Sequence, residues 1–535
     1  MNSNAGRIAK KLARRKRRIE NRLQAARDAR FVRMASGAPA VLSSTGLKYE
    51  LAEKSQAIVY GGVPLMLRVA RESGLIDAID SSVPILKWRC PYYESDHVLN
   101  LAMNALCEGT CLEHIERRRN DEAFLNAIGA ASIPDPTTAG DFCRRFSSVQ
   151  VRQLLDAINR ARLNVWKRQP KEFFDEAFID MDGTLTVTTG ECKEGMDISY
   201  KGDWGYHPLV VSLANTSEVL SIVNRSGNRP SEEGAADEAD RAITLCREAG
   251  FKIIRLRGDT AFSQTEHLDR WHDAKDVRFQ FGYDAKKNLI ALADNLPESA
   301  WQTLTRPAKY AVKTQPRRKP DNVKRQVVRR REFEHLELKS EQVAEFDDQP
   351  TACQRPYRRV VIRKNISHEK GDKLLFDEIR DFFYITNDRD ATAAEIVFGG
   401  NDRCDQENLI APIAGGARAL SAPVESLVSN RADRVMTSLA WTLKAWSALR
   451  LPVTPQLSVT LRLPVTLRLS VTLRHRASHE AARTRWLRRE FKTFVNEVLK
   501  VPCQIVPQGR RVIHRVRHWN PQLPTLFRLA AVWNC

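Results

Sequence analysis

The chain has 535 residues, 42% hydrophobic and 28% charged, which suits several globular domains with a large core. Its formal net charge of +20 favours a polyanionic partner, nucleic acid before an anionic membrane. No apolar run approaches the roughly 20 residues of a membrane span, no secretory signal is visible, and ten scattered cysteines lack zinc-site spacing. We therefore expect a cytoplasmic protein without membrane contact or structural zinc.

The first 45 residues are predicted to form a basic arm followed by a linker. Residues 7–33 contain twelve Lys and Arg against two acids, and Ile8, Leu12 and Ile19 recur near helical spacing. Two interpretations stay open, a basic helix that orders on DNA and a solvated tail. On the first, the DNA-binding residues include Arg14, Arg15, Lys16 and Arg17.

Residues 46–170 are predicted to be mainly helical, because apolar residues recur there with helical periodicity. Such a region could read DNA or serve as a packing layer for the following domain. The pattern does not identify a recognition helix, so both alternatives remain.

Residues 171–276 change to an α/β pattern. Strands are predicted at Phe173 to Val187, Leu209 to Ala214 and Glu218 to Val223, then a helix at Ser231 to Gly250 and a strand at Phe251 to Arg257. Three strands, a helix and another strand predict a mixed sheet. We interpret 171–276 as the first part of a catalytic core.

Residues 277–390 are predicted to be a β-rich, basic insertion. Eleven Lys and Arg stand against one acid between Arg306 and Arg331, and Arg317, Arg318 and Lys319 are predicted to bind DNA. Residues 391–450 would complete the core. Residues 451–475 hold two copies of a 12-residue unit that match at ten positions, and 476–535 form a basic C-terminal region.

Three carboxylates at the ends of apolar segments are the strongest candidates for chemistry. Asp182 and Asp180 face the same side of one predicted strand, Asp259 follows another, and Glu407 lies in a predicted helix. Each has a structural alternative. The carboxylates of Asp180 and Asp182 could accept hydrogen bonds from the backbone. Asp259 could cap the N-terminus of a helix, and Glu407 could be an ordinary exposed helix residue.

Taken together, these carboxylates suit a two-metal site. Mg²⁺, or alternatively Mn²⁺, prefers carboxylate and water oxygens. Two such ions about 4 Å apart activate the attacking oxygen and stabilise the leaving oxygen at phosphorus. The sequence has no P-loop, dinucleotide-binding glycine motif or nucleophile elbow, so we expect no small-molecule substrate.

The chain resembles the DDE transposases of bacterial insertion sequences, in the branch with a β-rich insertion before the final Glu. The sequence segments that carry this resemblance are Ile179-Asp-Met-Asp-Gly-Thr184, Tyr200-Lys-Gly-Asp-Trp-Gly-Tyr-His-Pro-Leu209, Asn224-Arg-Ser-Gly-Asn228, Leu256-Arg-Gly-Asp-Thr-Ala-Phe262, Tyr357-Arg-Arg-Val-Val-Ile-Arg-Lys364, Arg403-Cys-Asp-Gln-Glu-Asn408 and Cys503-Gln-Ile-Val506.

The resemblance implies an RNase H-like core with Asp182, Asp259 and Glu407 as catalytic metal ligands and Asp180 as the alternative first ligand. It implies nicking at transposon ends, strand transfer by the freed 3′-OH, and a nucleoid-associated homodimer on paired ends. The DNA partners would be terminal inverted repeats and target DNA. Arg403, four residues before Glu407, is expected to contact a DNA phosphate.

Two positions depart from the family's Tyr-Arg-Glu-Lys signature. Gly400 stands at the Tyr position and Ala414 at the Lys position, while Pro412 is expected to kink or end the helix. These departures favour an alternative to an active transposase, namely a weakened or inactive copy that only binds transposon-end DNA. A nuclease without strand transfer is a further alternative.

Overall fold

The structure is a computed structural model that describes residues 2–35, 56–306, 323–371, 373–452, 480–509 and 511–532. The α-helices in these ranges are α1 Asn2–Ala35, α2 Val63–Glu72, α3 Leu75–Ser82, α4 Glu94–Leu106, α5 Glu116–Arg119, α6 Glu122–Ile128, α7 Pro136–Arg144, α8 Ser148–Trp166, α9 Ala235–Ala249, α10 Leu268–Asp273, α11 Lys287–Asp294, α12 Val323–Arg330, α13 Ala393–Asp402, α14 Glu407–Gly415, α15 Leu427–Leu449, α16 480–487, α17 Phe491–Phe494 and α18 Leu523–Ala531.

The strands form one large sheet and two small ones. They are β1 Gln56–Ile58, β2 Glu176–Gly183, β3 Thr186–Val187, β4 Asp197–Ile198, β5 Trp204–Tyr206, β6 Leu209–Leu213, β7 Glu218–Val223, β8 Ile253–Gly258, β9 Val277–Tyr283, β10 Gln302–Thr303, β11 Glu334–Asp348, β12 Tyr357–Lys370, β13 Lys373–Thr386, β14 Cys503–Gln508 and β15 Arg511–Val516. The large sheet has the order β10-β11-β12-β13-β9-β8-β2-β6-β7.

Five neighbouring strands of this sheet form an α/β core, and the sequence predicts four of them as core strands. In the order β7-β6-β2-β8-β9, β2, β8 and β9 are parallel, whereas β6 is antiparallel to both of its neighbours. The crossover from β7 to β8 is made by α9, which ends at Gly250 with φ of 97°. This strand order confirms the predicted α/β fold class with a mixed sheet and is consistent with the RNase H-like core that the resemblance implies.

The predicted strand from Phe173 to Val187 is interrupted in the structure. Lys171–Phe174 is a 3₁₀ turn, where Phe173 and Phe174 pack on the ring of Phe251. The regular strand is β2, in which Ala177, Ile179 and Met181 are buried. Beyond Gly183 the chain leaves the large sheet, and only the two residues of β3 are extended.

The β-rich insertion continues the large sheet instead of forming a separate one. The antiparallel strands β11, β12 and β13 join the core through pairing of β13 with β9. Because β9 is parallel to β8, Val277–Tyr283 is the fifth core strand, although the sequence analysis places it in the insertion. Arg317, Arg318 and Lys319, and all of the duplicated unit but its first two residues, lie outside the described residues.

The helices between residues 63 and 166 share one continuous apolar core with the sheet. Helix α15 packs against α4, α8 and β7, so it joins the two regions. At this junction Glu218, which is fully buried, accepts hydrogen bonds from Arg162, Trp166, Thr216 and Trp446. One carboxylate thereby links α8, β7 and α15.

The N-terminal basic arm forms helix α1, which contacts the C-terminal part of the chain. Arg15 donates to the carbonyl oxygens of Val516 and His518, and the Lys16 ammonium lies 5.5 Å from the centroid of the Trp519 ring. In the ranges described, no helix combines the length and apolar character that crossing a membrane would require.

Candidate active site

The register between β2 and β8 sets the relative positions of the aspartates. Asp180 lies directly opposite Arg257 in this parallel pair. Asp182 lies two residues further along β2, on the same side as Asp180, and Asp259 is the residue that directly follows β8. The ends of two neighbouring parallel strands therefore carry one carboxylate each.

Asp180 is engaged in a buried ion pair. Its two carboxylate oxygens accept from Nε and Nη2 of Arg257 at 2.6 and 2.9 Å, and both side chains are at most 6% exposed. The guanidinium also lies 5.0 Å from the centroid of the Phe178 ring. A bidentate, desolvated pair of this kind holds the Asp180 carboxylate in place.

Asp182 occupies a more open position, with 17% of its side chain exposed. Burial raises the pKa of Asp182 to about 6, the positive charge of Arg403 opposes this rise, and the negative charges of Asp259 and Glu407 add to it. Arg403 Nη1 lies 3.3 Å from Asp182 Oδ2. The charges of Arg403, Asp259 and Glu407 therefore all act on the Asp182 carboxylate.

Asp259 has the helix-capping contact that the sequence analysis kept as an alternative. Its Oδ1 accepts a hydrogen bond of 2.9 Å from the backbone N–H of Ala261, at the start of the 3₁₀ turn Thr260–Phe262. Gly282 of β9 passes close to this turn, since a Cβ there would lie 2.9 Å from the Thr260 nitrogen. The cap thus orients the carboxylate at the strand end.

Glu407 is the first residue of α14, and Arg403 lies in the separate 3₁₀ turn Arg403–Gln406 that follows α13. A spacing of four residues predicts that both lie on one face of a continuous α-helix. In the structure they do not, because Arg403 lies in the turn and Glu407 begins the helix. Pro412 does not end the helix. It lies inside α14, which continues to Gly415.

Gln406 fixes this turn against the core sheet, and the sequence analysis did not single it out. Its Nε2 donates to the backbone oxygens of Asp180 and Val210 at 3.1 Å each, so it connects the turn to β2 and β6. The side chain is 2% exposed. The only sequence signal is its place directly before Glu407. Gln406 and Arg257 are thus supporting residues that hold the elements bearing the carboxylates.

Gly400 has no room for a side chain because Tyr384 of β13 occupies the space. A Cβ at Gly400 would lie 2.4 Å from Tyr384 Cε1, whereas a Cβ at Gly415 would meet no atom within 4 Å. We expect Gly400→Ala to reduce the free energy of unfolding by about 1–3 kcal/mol through overpacking. Urea unfolding of both glycine variants measures this, and equal effects of Gly400→Ala and Gly415→Ala would contradict it.

A different group of potential metal ligands lies on the insertion. Among the described residues, His335, Glu337 and Glu369 form the group whose ligand atoms all lie within 4.8 Å of one another, so Asp182, Asp259 and Glu407 do not meet that spacing. His335 pairs with Glu369 near the hairpin end. That end is about 30 Å along the strands from the pairing with β9, so the two groups are separate.

Comparison with known proteins places the chain in a family. The family model for the transposase DDE domain group 1 matches residues 56–473. The cryo-EM structure of a piggyBac transposase synaptic complex with hairpin DNA aligns over 85% of this chain and 88% of that chain, at 9% identity and a TM-score of 0.32. Comparison with curated proteins gives no match. Because the family model covers most of the sequence, the chain belongs to the DDE transposases.

Proposed function

We propose that this transposase cleaves DNA at the ends of an insertion sequence and transfers the freed strand to target DNA, with Asp182, Asp259 and Glu407 as its catalytic residues. The observation that supports this most directly is the shared electrostatic environment of the three carboxylates. They come from β2, the residue after β8, and α14, which are far apart in sequence, and the negative charges of Asp259 and Glu407 both act on Asp182.

DDE transposases use divalent metal ions, and the donor set here fits Mg²⁺, with Mn²⁺ as the alternative. Carboxylate oxygens are the ligands that these ions prefer. The burial and mutual repulsion that raise the pKa of Asp182 are relieved by a bound cation, which argues for metal binding by Asp182, Asp259 and Glu407. A metal ion held by these three residues would supply activation of the attacking oxygen and charge balance at the phosphorus.

The surrounding residues prepare this site in distinct ways. Arg257 engages Asp180 and Gln406 anchors the turn before Glu407, so the carboxylates project from fixed backbone. Arg403, which is 15% exposed, is near enough to the carboxylates to bind a phosphate that approaches them. We propose that Arg403 exchanges its contact with Asp182 for the DNA phosphate.

Helix α1 is proposed to bind the DNA backbone outside the active site. All four of the predicted arginines and lysines are exposed, and two of them, Arg15 and Lys16, also hold the helix to the C-terminal segment. Arg14 and Arg17 are therefore the better candidates for phosphate contacts. The contribution of Arg317, Arg318 and Lys319 stays a proposal from the sequence.

The double variant Arg14→Gln and Arg17→Gln is expected to weaken DNA binding in a salt-dependent manner. Each lost phosphate contact lowers the slope of log affinity against log salt concentration by about 0.9, so the slope should fall by roughly 2. Fluorescence anisotropy with a labelled duplex over a range of salt measures this. The charge-matched control is Lys167→Gln with Arg168→Gln, at the exposed end of α8. Equal slopes for the two double variants would contradict the assignment.

Incubation of the purified protein with plasmid DNA that carries both element ends, in Mg²⁺ or Mn²⁺, tests the proposed reaction. Nicking at the ends and joining of a 3′-OH to target DNA support it, and cutting without joining indicates a nuclease. The absence of the family's Lys at Ala414 favours a second candidate, a copy that binds ends without cleaving them. Binding without nicking would support that candidate. Sedimentation of the end complex tests the proposed homodimer.

A further inference from the structure

The insertion has an exposed strand edge along most of β13. Residues 373–382 pair with β12, whereas the pairing of β13 with β9 begins only at Phe383. Among the strands of the described ranges, none other than β12 pairs with 373–382. The side of this segment that points away from β12 is therefore an edge to which a further strand can pair.

This edge carries large apolar side chains in addition to charges. Phe376, Ile379 and Phe382 are 53%, 63% and 45% exposed. Edge strands that avoid association usually carry charges or proline and few exposed apolar residues. Exposed apolar side chains that lie close together instead indicate an interaction surface.

Strand β12 holds the two aromatic side chains of this edge in place. The Phe376 ring stacks on His368, with ring centroids 4.2 Å apart. The Lys364 ammonium lies 5.0 Å from the centroid of the Phe382 ring. Both rings are on the same face of the strand, because an even number of positions separates them. They therefore stand on a preorganised support.

The sequence of this edge is complementary to itself. Residues 376–382 read Phe376-Asp-Glu-Ile-Arg-Asp-Phe382, with Ile379 at the centre. When two copies pair antiparallel about Ile379, each residue lies opposite the one at the same distance on the other side of the centre. Phe376 then opposes Phe382 of the second copy, and Glu378 opposes Arg380 of the second copy. Aromatic pairs and opposite charges in such positions stabilise a strand pair.

The charges also select this register. A pairing centred on Glu378 or on Arg380 would place that residue against its own copy, which puts like charges opposite each other. Within one chain Arg380 donates to Glu378 at 2.7 and 2.8 Å. In the pair centred on Ile379, the two copies of this ion pair lie side by side with opposite charges in contact.

The other face of the segment places two aspartates opposite each other, Asp377 and Asp381 of the second copy. Both carboxylates already have partners within the chain. Asp381 accepts from Arg363 at 2.9 and 2.8 Å, and Asp377 accepts from the Ser367 hydroxyl. The charge of Arg363 and the hydrogen bond of Ser367 reduce the repulsion across the pair.

We propose that two copies of this chain associate through an antiparallel pair of their β13 edges, residues 376–382, about a two-fold axis at Ile379. The contact ends at Phe382 because Phe383 already pairs with Tyr283 of β9. A two-fold axis makes the same surface serve both copies, as self-complementary residues require. The proposal rests on the proposed function only for its homodimer, to which it assigns a contact surface.

Sedimentation equilibrium of the full chain without DNA tests this assignment. Wild type should form a dimer, and Glu378→Arg and Arg380→Glu should each raise its dissociation constant at least about tenfold, because each places like charges opposite one another twice. The matched controls are Asp347→Arg and Arg389→Glu, which reverse the charges of an exposed ion pair at the other end of the insertion and should leave the dimer unchanged.

A mixture of the two edge variants distinguishes contact between copies from an effect within one chain. Each variant alone has like charges at positions 378 and 380, but in a pair of one Glu378→Arg chain with one Arg380→Glu chain every opposing charge is complementary. The equimolar mixture should therefore form a heterodimer with nearly wild-type affinity. Loss of the contact within each chain cannot produce this recovery, since it persists in the mixture.

A monomeric wild type would overturn the proposal, as would a dimer that neither edge variant weakens. Failure of the mixture to dimerise, with wild-type thermal unfolding of both variants, would also overturn it. Wild-type nicking of end-containing DNA is measured separately. A dimer that does not nick leaves this interface standing, whereas a monomer that nicks leaves the proposed reaction standing.

Discussion

Asp259→Ala is expected to reduce strand nicking by about a thousandfold or more while DNA binding stays within about twofold of wild type. The carboxylate lies at the end of β8, in the group around Asp182, and its removal leaves the proposed metal site without a ligand. Loss of several kcal/mol of transition-state stabilisation corresponds to at least this factor. Nicking of plasmid DNA with the element ends and anisotropy on the same ends measure the two quantities.

The two aspartates of β2 provide an internal control for this prediction. Asp182→Asn should behave like Asp259→Ala, because the charges of Asp259 and Glu407 act on Asp182 and the three residues are proposed to hold the same metal. Asp180→Asn should instead lower stability, because it leaves the buried Arg257 guanidinium without its counter-charge. If folded Asp182→Asn protein nicks normally whereas Asp180→Asn protein is inactive but stable, the assignment of the first catalytic Asp is wrong.

Glu218→Ala is expected to reduce the free energy of unfolding by about 3–5 kcal/mol, the cost of removing one partner from a buried ion pair. Arg162, which is 1% exposed, would keep its charge without the carboxylate at 3.0 Å. Two indole N–H groups, from Trp166 and Trp446, would also lose their acceptor. Urea unfolding followed by tryptophan fluorescence measures the loss.

The matched control is the exposed pair of Arg144 and Glu425. Here the guanidinium also donates two hydrogen bonds, at 2.7 and 3.2 Å, but both side chains are more than 40% exposed. Glu425→Ala is therefore expected to cost no more than about 1 kcal/mol. Comparable losses for Glu218→Ala and Glu425→Ala would show that burial does not decide the strength of the Glu218 contacts.

Local patterns in the sequence were sufficient to predict four of the five core strands and their succession along the chain, but they placed β9 in the insertion. The apolar residues Ile179 and Met181 alternate with the aspartates of β2, and Gly250 ends the helix before β8. Such signals depend on a few consecutive residues. They also indicated that Asp182, Asp259 and Glu407 lie at or near the edges of apolar segments. The order of elements then predicted a mixed sheet, which the strand order confirms.

The tertiary structure decided what those local patterns leave open. Asp180 and Asp182 have the same strand parity, so only the register with β8 separates the residue paired with Arg257 from the one beside Arg403. Likewise, Tyr384 of β13 fills the space beside Gly400 of helix α13. These contacts join residues far apart in the chain, and their partners are set by strand register and packing, which no local periodicity encodes.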